Sequence, residues 1–323
     1  MSSEAGQLGL VAIGRNEGNR LKLCLKSVPR GIPIMYVDSG STDGSVTFAR
    51  SLGAKVIQLD MRQPFTAARA RNEGLRELLI ELPELQFVQF VDGDCELESG
   101  WLAEGEAFLA ANEAYGAVCG RRRERFPEAS FYNRMCDDEW DTPIGDALAC
   151  GGDALYRITA IVDAGGFDPL VIAGEEPELC ARLRSKGWKI RRLDIAMTIH
   201  DANMMHTLQW WRRSVRCGYG YAQVWRKTAT SGGPSIYGRQ IASALFWTLG
   251  IAMLALVLAI GVSPWAFLVA PAAWILQLVR LSFRVGWMKG AHLLAGKVAE
   301  SWGALRYAMT AMRGSSQGAI FYK

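Results

Sequence analysis

Phe87-Val88-Gln89-Phe90-Val91-Asp92-Gly93-Asp94 is the stretch on which the reading of the fold turns. A short apolar run bounded by a turn signal reads as a buried strand. It ends in two carboxylates with one glycine between them. At positions i and i+2 of an extended segment, Asp92 and Asp94 point the same way. Gly93 lets the turn bring them together. Two like charges so placed repel, and a bound divalent ion is the natural remedy.

Upstream the pattern repeats. Leu8 to Ile13 is an apolar run ending at Gly14. Asn19 to Val28 has helical spacing, with Asn16 or Asn19 available as N-cap. Ile34 to Val37 is a second strand, ending in the polar Asp38-Ser39-Gly40-Ser41-Thr42-Asp43-Gly44. A helix near Val46–Leu52, a strand near Lys55–Leu59 and a helix over Asn72–Leu82 complete the series. Short apolar strands alternating with helices predict a mostly parallel sheet. Ligands of such sheets bind beyond the strand C-termini, where strand order reverses. Glu17, Asp38, Asp92 and Asp94 arrive at that end, which suits a cation or a sugar. Neither a GxxxxGK[ST] nor a GxGxxG phosphate loop is present.

The remaining chain differs in kind. Residues 1–200 hold 23 Lys/Arg and 30 Asp/Glu, whereas 201–323 hold 13 Lys/Arg and only Asp201 and Glu300. An acidic body is therefore followed by a basic, apolar tail. The cations flank apolar stretches instead of forming one stripe, so nucleic acid is not an expected partner. Forty residues between Arg239 and Arg280 carry no charge. As helix they would extend about 60 Å, twice a bilayer core. Ser263-Pro264 divides them into spans near 241–262 and 264–283. Arg226, Lys227 and Arg239 precede them, and Arg280, Arg284 and Lys289 follow, which places both ends in the cytoplasm. The alternatives are a buried helical pair in a soluble core and a re-entrant hairpin, with Pro271 able to kink the second helix. Residues 203–227 mix tryptophan and tyrosine with arginine, and 291–313 read as an amphipathic helix; both suit the membrane interface or packing on the protein. The seven cysteines show no metal-binding spacing and suit reduced thiols in the cytosol. Met1–Gln7 does not read as a secretory signal.

Several motifs, in order, resemble those of the family 2 glycosyltransferases. Val11-Ala12-Ile13-Gly14-Arg15-Asn16-Glu17 is similar to their opening strand, with Ile13 where proline is common. Val37–Gly44 resembles V-D-D-G-S-T-D-G, Ala68–Gly74 resembles A-x-A-R-N-x-G, and Asp92-Gly93-Asp94 matches D-x-D. Gly165-Gly166-Phe167-Asp168 and Gly174-Glu175-Glu176-Pro177-Glu178-Leu179 are similar to the G-G-F-D and G-E-D-x-E-L acceptor region. The resemblance implies a GT-A (nucleotide-sugar-binding) α/β domain, followed here by a C-terminal transmembrane helical hairpin. The expected organisation is a catalytic domain over 1–202, an interfacial segment over 203–239, two membrane helices over 240–284 and an amphipathic segment over 285–323.

The resemblance also implies roles. Asp38 would bind the nucleotide base, Glu17 would sit near the ribose, and Arg71 near the diphosphate or sugar. Asp94, with Asp92 close by and His200, would hold a divalent cation; nitrogen beside carboxylates favours Mn2+ over Mg2+. Glu176 stands where the family has the aspartate of its E-D pair, the general base. Glutamate is one methylene longer, so Glu176 acts with a shifted backbone or Glu175 acts instead. One metal site and one base imply a single displacement with inversion. The expected partners are a nucleoside-diphosphate sugar and a lipid-linked or glycan acceptor at the cytoplasmic membrane. Two other readings are a nucleotidyltransferase of the same fold and a catalytically silent scaffold in polysaccharide export. Specificity is expected within 120–160, where Arg121-Arg122-Arg123 and Asp137-Asp138-Glu139 read as a solvated face or mobile loop.

Overall fold

A computed structural model of the chain describes residues 7–230 and 235–314. The chain divides into two compact units, Met1–Met205 and His206–Lys323. The first contains, in order, β1 (Leu8–Gly14), α1 (Asn19–Ser27), β2 (Ile34–Asp38), α2 (Ser45–Ser51), β3 (Lys55–Gln58), α3 (Ala67–Glu81), β4 (Phe87–Asp92) and β5 (Cys95–Leu97). It continues with α4 (Trp101–Ala111), β6 (Tyr115–Glu124), α5 (Phe131–Trp140), β7 (Gly145–Asp146), β8 (Leu155–Arg157), α6 (Ile158–Asp163), α7 (Glu175–Ser185) and β9 (Lys189–His200).

These strands form one sheet in the order β3-β2-β1-β4-β8-β6-β9-β5, with β7 also on β9. β1 lies parallel between β2 and β4, with Gly14 opposite Asp38 and Ile13 opposite Asp92. Strand order reverses at β1, so the loops after β1 and β4 flank a crevice. Beyond β4 the sheet is mixed. β8 enters from the edge at which β6 ended, with no crossover to carry the chain back, and is antiparallel to β4 and β6. β6 and β9 are parallel to each other. One edge therefore collects the ends of β1, β2, β4, β6 and β9 and the start of β8.

The core is apolar and tight. Leu10, Val11, Ala12, Val37, Phe87, Val88, Phe90 and Val91 are completely buried. α3 begins five residues earlier than the spacing predicts, because Thr66 caps it, its hydroxyl accepting from the Arg69 amide at 3.1 Å. Arg71 is thereby a helical residue. Gly74, one turn on, lets α3 lie against the sheet: a Cβ there would stand 2.4 Å from Val11 Cγ1 and 2.9 Å from Val37 Cγ2. The predicted cap of α1 is also different. Asn16 adopts φ 55° and its side chain accepts from the Thr42 amide at 2.7 Å, tying two loops together and leaving α1 without a side-chain cap.

The second unit is helical: α8 (Thr207–Thr230), α9 (Gly238–Leu245), a π-turn over Phe246–Gly250, α10 (Ile251–Gly261), a 3-10 turn over Pro264–Leu268, α11 (Val269–Val285) and α12 (Trp287–Met312). Gly238–Gly261 (24 residues) and Pro264–Val285 (22 residues) are long and apolar enough to cross a membrane. Pro271 lies in the first turn of α11, which continues unbroken to Val285, so the kink expected there is replaced. Pro271 has no amide to give the Phe267 carbonyl, and the backbone up to Leu268 takes the tighter 3-10 form. α8 and α12 cross at contact distance through Gly218 and Gly303, where a Cβ on either would fall 2.0 Å from the other helix's backbone. Trp210 and Tyr219 of α8 turn inward against His292 and Tyr307. Part of this aromatic set thus packs helix on helix.

Gly74→Ala gives the first prediction. On an exposed helix this change gains up to about 1 kcal/mol. Here the methyl group enters occupied space, and a loss of about 1–3 kcal/mol is expected. Denaturant unfolding of the full chain in detergent, followed by tryptophan fluorescence, measures the sign.

Candidate active site

Two loops at the switch point are pinned to each other. The Asn16 amide donates to Ser41 Oγ at 2.9 Å, and the Gly18 amide to Asp43 Oδ2 at 2.8 Å. Asp43 Oδ1 accepts from the Ser45 amide at 3.1 Å, where α2 begins. Asp38, at the end of β2, is completely buried. One carboxylate oxygen accepts from the Gly40 and Ser41 amides at 3.0 and 2.9 Å, and Tyr36 donates to the other at 3.2 Å. In this arrangement Asp38 shapes the loop that follows β2. Glu17 pairs with Arg20 at 2.8 Å and borders the Asp92-Gly93-Asp94 turn, its Cγ 3.2 Å from where a Gly93 Cβ would stand.

Arg71 is the hub. It is 1% exposed, and its guanidinium reaches Asp92 at 2.8 Å, Glu175 at 3.0 Å and Glu176 at 3.1 Å. It therefore holds these three carboxylates together. Glu175 and Glu176 open α7 directly after Gly174, whose φ of 83° suits glycine. Carboxylates are favoured in a first helical turn. Glu175 is buried at 4% exposure, whereas the Glu176 side chain retains 15%. Burial, then the charge of Glu175, push Glu176 up to about 7 against the opposing pull of Arg71. Of the two candidates for general base, Glu176 has both the access and a pKa suited to proton transfer at neutral pH.

A second group lies along the same edge. His200 Nε2 is 3.2 Å from Asp94 Oδ2, and β5 pairs with β9 so that Cys95 faces His200. One ligand atom each from Asp94, Cys95 and His200 lies within 4.8 Å of the others. His200 Nδ1 is buried with no hydrogen-bond partner among the described residues, and the ring packs edge-on to Trp140 at 4.7 Å. Burial, then Asp153, raise the Cys95 thiol well above its ordinary range, so it stays protonated. Asp94 and His200 are thus the donors suited to a hard divalent ion.

Asp153 and Arg122 were not singled out from the sequence. Asp153 is completely buried, pairs with Arg122 at 2.7 Å, and accepts from the Asp92 amide at 3.2 Å and Thr198 Oγ1 at 2.9 Å. Arg122 also stands over the Trp140 ring at 5.5 Å. The arginine run is accordingly only in part a solvated face, since Arg123 is exposed and Arg122 is not. It lies on β6, and Arg122 turns into the site while Arg121 binds Asp137 at 3.0 Å. The signal available was Asp153 before the apolar Ala154-Leu155-Tyr156. Reading it requires knowing that β8 is antiparallel, so that its start faces the site. Gly152 is equally constrained: a Cβ there would lie 2.4 Å from Arg71 Nη2 and 3.0 Å from Glu176 Oε1.

Glu176 also makes a stability prediction. Its folded pKa of about 7 exceeds the ordinary 4.5, so the folded state binds the extra proton between those values. Stability held below pH about 4.5 is then lost as pH rises through about 7. Glu176→Gln, which never ionises, should be the more stable form at pH 8 by about 3 kcal/mol. The difference should vanish toward pH 5. Thermal unfolding at pH 5, 6.5 and 8 tests it, and equal melting temperatures at all three would refute the raised pKa.

Comparison with known proteins agrees with this geometry. Residues 11–147 match the sequence family described as glycosyl transferase family 2. The pre-mycofactocin glycosyltransferases of two Mycobacterium tuberculosis strains are 28% identical over 206 residues, covering 58% of this chain and 41% of theirs. The chain thus spans about two fifths of the length of these curated relatives. A mannosyltransferase from Pyrobaculum calidifontis, solved with GDP-Man and Mn2+, superposes with a TM-score of 0.64 at 20% identity, covering 94% of this chain and 88% of that one. With the strand order, the D-x-D turn and the paired glutamates of α7 already in place, these likenesses give the N-terminal unit the GT-A fold and show that residues 11–147 within it are similar to the family 2 glycosyltransferases.

Proposed function

We propose that the protein transfers a sugar from a nucleoside-diphosphate sugar to an acceptor hydroxyl with inversion, at the cytoplasmic face of the membrane. The observation that carries this reading is Glu176. It is a carboxyl raised to about 7, held by Arg71 on the sheet edge that also presents Asp94 and His200. In one displacement the acceptor oxygen bonds to the anomeric carbon as the bond from that carbon to the diphosphate oxygen breaks. The acceptor's proton passes to the Glu176 carboxylate. Arg71 fixes the direction in which that carboxylate points, and Glu175 beside it keeps its basicity high. Gly152 leaves the carboxylates open to the sugar, since any side chain there would fill the space. The cross-pinned loops after β1 and β2, shaped by Asp38 and bordered by Glu17, form the wall on the nucleotide side.

The buried Asp94–His200 pair fits a divalent cation, Mn2+ or Mg2+, with Asp92 close by. The orphaned His200 Nδ1 and the oxygen–nitrogen donor set support that fit. Such an ion supplies Lewis-acid stabilisation of the charge that grows on the leaving diphosphate. The two apolar helices of the second unit support membrane attachment, with two spans and the catalytic domain in the cytoplasm. Both flanks are basic, which suits the cytoplasmic side. A membrane-held enzyme of this kind suits a lipid-linked or polysaccharide acceptor.

Purified full-length protein in detergent, given a panel of nucleotide sugars with Mn2+ or Mg2+, should release nucleoside diphosphate, and chelation should stop it. Asp94→Ala and Glu176→Gln should each lower kcat by at least about a hundredfold. The rate should fall on acidification, with the acid limb at or below pH about 7 and absent from the residual activity of Glu176→Gln. Full activity in either variant would remove the assigned chemistry. Release of pyrophosphate from a nucleoside triphosphate would instead identify a nucleotidyltransferase.

A further inference from the structure

A second cavity, of about 690 Å3, opens beside the site and takes no part in the mechanism above; Arg121, Arg123 and Arg192 line it with Asp141 and Asp194. Two of the three guanidiniums also have carboxylate partners outside that lining, Arg121 with Asp137 at 3.0 Å and Arg123 with Glu98, so the unmet demand for an anion falls on Arg192. Arg192 is the least satisfied: its side chain is 4% exposed and its Nε has no hydrogen-bond partner among the described residues. Its Nη2 meets a single oxygen of Asp141 at 3.2 Å, and Arg121 Nε approaches the same oxygen at 3.4 Å. Asp141 itself is 62% exposed, on the segment that follows α5. One carboxylate oxygen shared between two guanidiniums leaves the Arg192 fork incompletely met. A phosphate, with three free oxygens and a forked match to each guanidinium, uses them.

The position gives the cavity a role. Trp140, the residue before Asp141, packs on the His200 ring and under the Arg122 guanidinium. In the sheet Arg121 lies opposite Ala196 and Arg122 opposite Thr198, with a register shift between them. That shift turns neighbouring arginines to different tasks, Arg122 to the Asp153 site and Arg121 to the cavity. We propose that Arg121, Arg123 and Arg192 form a subsite for a phosphate group on the acceptor, and that the Asp141 carboxylate occupies it until that phosphate arrives. The word acceptor rests on the glycosyltransferase reading; the phosphate subsite itself does not. Displacing Asp141 raises the positive charge facing the ligand and frees the segment beside Trp140. Asp194, also on the cavity wall, remains as the opposing charge.

Calorimetric titration of the full chain in detergent tests this with two probes, farnesyl phosphate and inorganic phosphate. The wild type should bind farnesyl phosphate, and Arg121→Gln should weaken binding at least tenfold. Arg192→Gln should do the same, with Arg192→Lys recovering part of the loss. Asp141→Asn should tighten binding threefold or more, a gain that a damaged fold would not produce. With an active acceptor, Arg121→Gln should raise its KM at least tenfold with a smaller change in kcat. Binding within twofold of wild type in both Arg121→Gln and Asp141→Asn overturns the subsite. Equal affinity for inorganic phosphate and farnesyl phosphate, with equal response to the substitutions, overturns the assignment to a lipid-borne acceptor and leaves a site for free phosphate. Failure to release nucleoside diphosphate from any nucleotide sugar, with the binding changes intact, sinks the transfer reaction and not the subsite.

Discussion

A single buried guanidinium organises the site. Arg71 carries its charge at 1% exposure, and such a charge is tolerable only if it is paired and hydrogen-bonded. Its partners come from β4 and α7, so the ion cluster fastens three elements that are far apart in sequence. The Phe167 ring, 5.4 Å from the guanidinium carbon, covers another side. Three carboxylates on one cation leave a negative surplus, which adds to the larger effect of burial in raising Glu176. A lysine would supply the same charge without the planar fork that addresses Asp92 and the two glutamates in separate directions. Breaking such a buried pair typically costs about 3–5 kcal/mol, which exceeds what the partners individually contribute.

What brings Arg71 to the carboxylates is the sheet. β1 and β4 run side by side with Ile13 opposite Asp92, and α3 lies close on β1 because Gly74 has no side chain. Every later element then adds to the same edge by its direction. β6 and β9 contribute their ends, Arg122 and His200, and antiparallel β8 contributes its approach, Gly152-Asp153. The D-x-D turn is stitched into this arrangement at both sides, with the Gly93 amide donating to Ile13 at 2.7 Å and the Asp92 amide to Asp153. The site is rigid because its charged groups sit on strand ends and a helix start more than on free loops.

The parallel half of the fold was legible because its strands are short apolar runs ending in polar turns. Leu8–Gly14, Ile34–Asp38 and Phe87–Asp92 follow that rule with little ambiguity. The other half was not. β8 has three residues and β7 two, lengths at which periodicity says nothing, and β6 carries register shifts that defeat alternation at Arg121-Arg122-Arg123. Charged runs look solvated unless their partners are known, and Asp153 lies about thirty residues beyond Arg122. The glutamate pair was visible through its motif, but not which member is the more accessible. That depends on Glu175 lying deeper against Arg71, a fact of packing. Pro271 misled for a related reason: its effect depends on where the helix begins, which composition does not say.

Charge balance links the two halves of the site. Ion pairs join Asp92, Glu175 and Glu176 to Arg71 and Asp153 to Arg122, with Asp94 beside His200, so five carboxylates and two guanidiniums sum to three negative charges when all the carboxylates are ionised. That surplus favours both uptake of a cation near Asp94 and retention of a proton on Glu176. The two responses oppose each other, because a cation nearby lowers the pKa of a carboxyl and a proton on Glu176 weakens the pull on a cation. By linkage, cation affinity should rise as pH climbs through the range in which Glu176 ionises, and loading the cation should move that ionisation to lower pH.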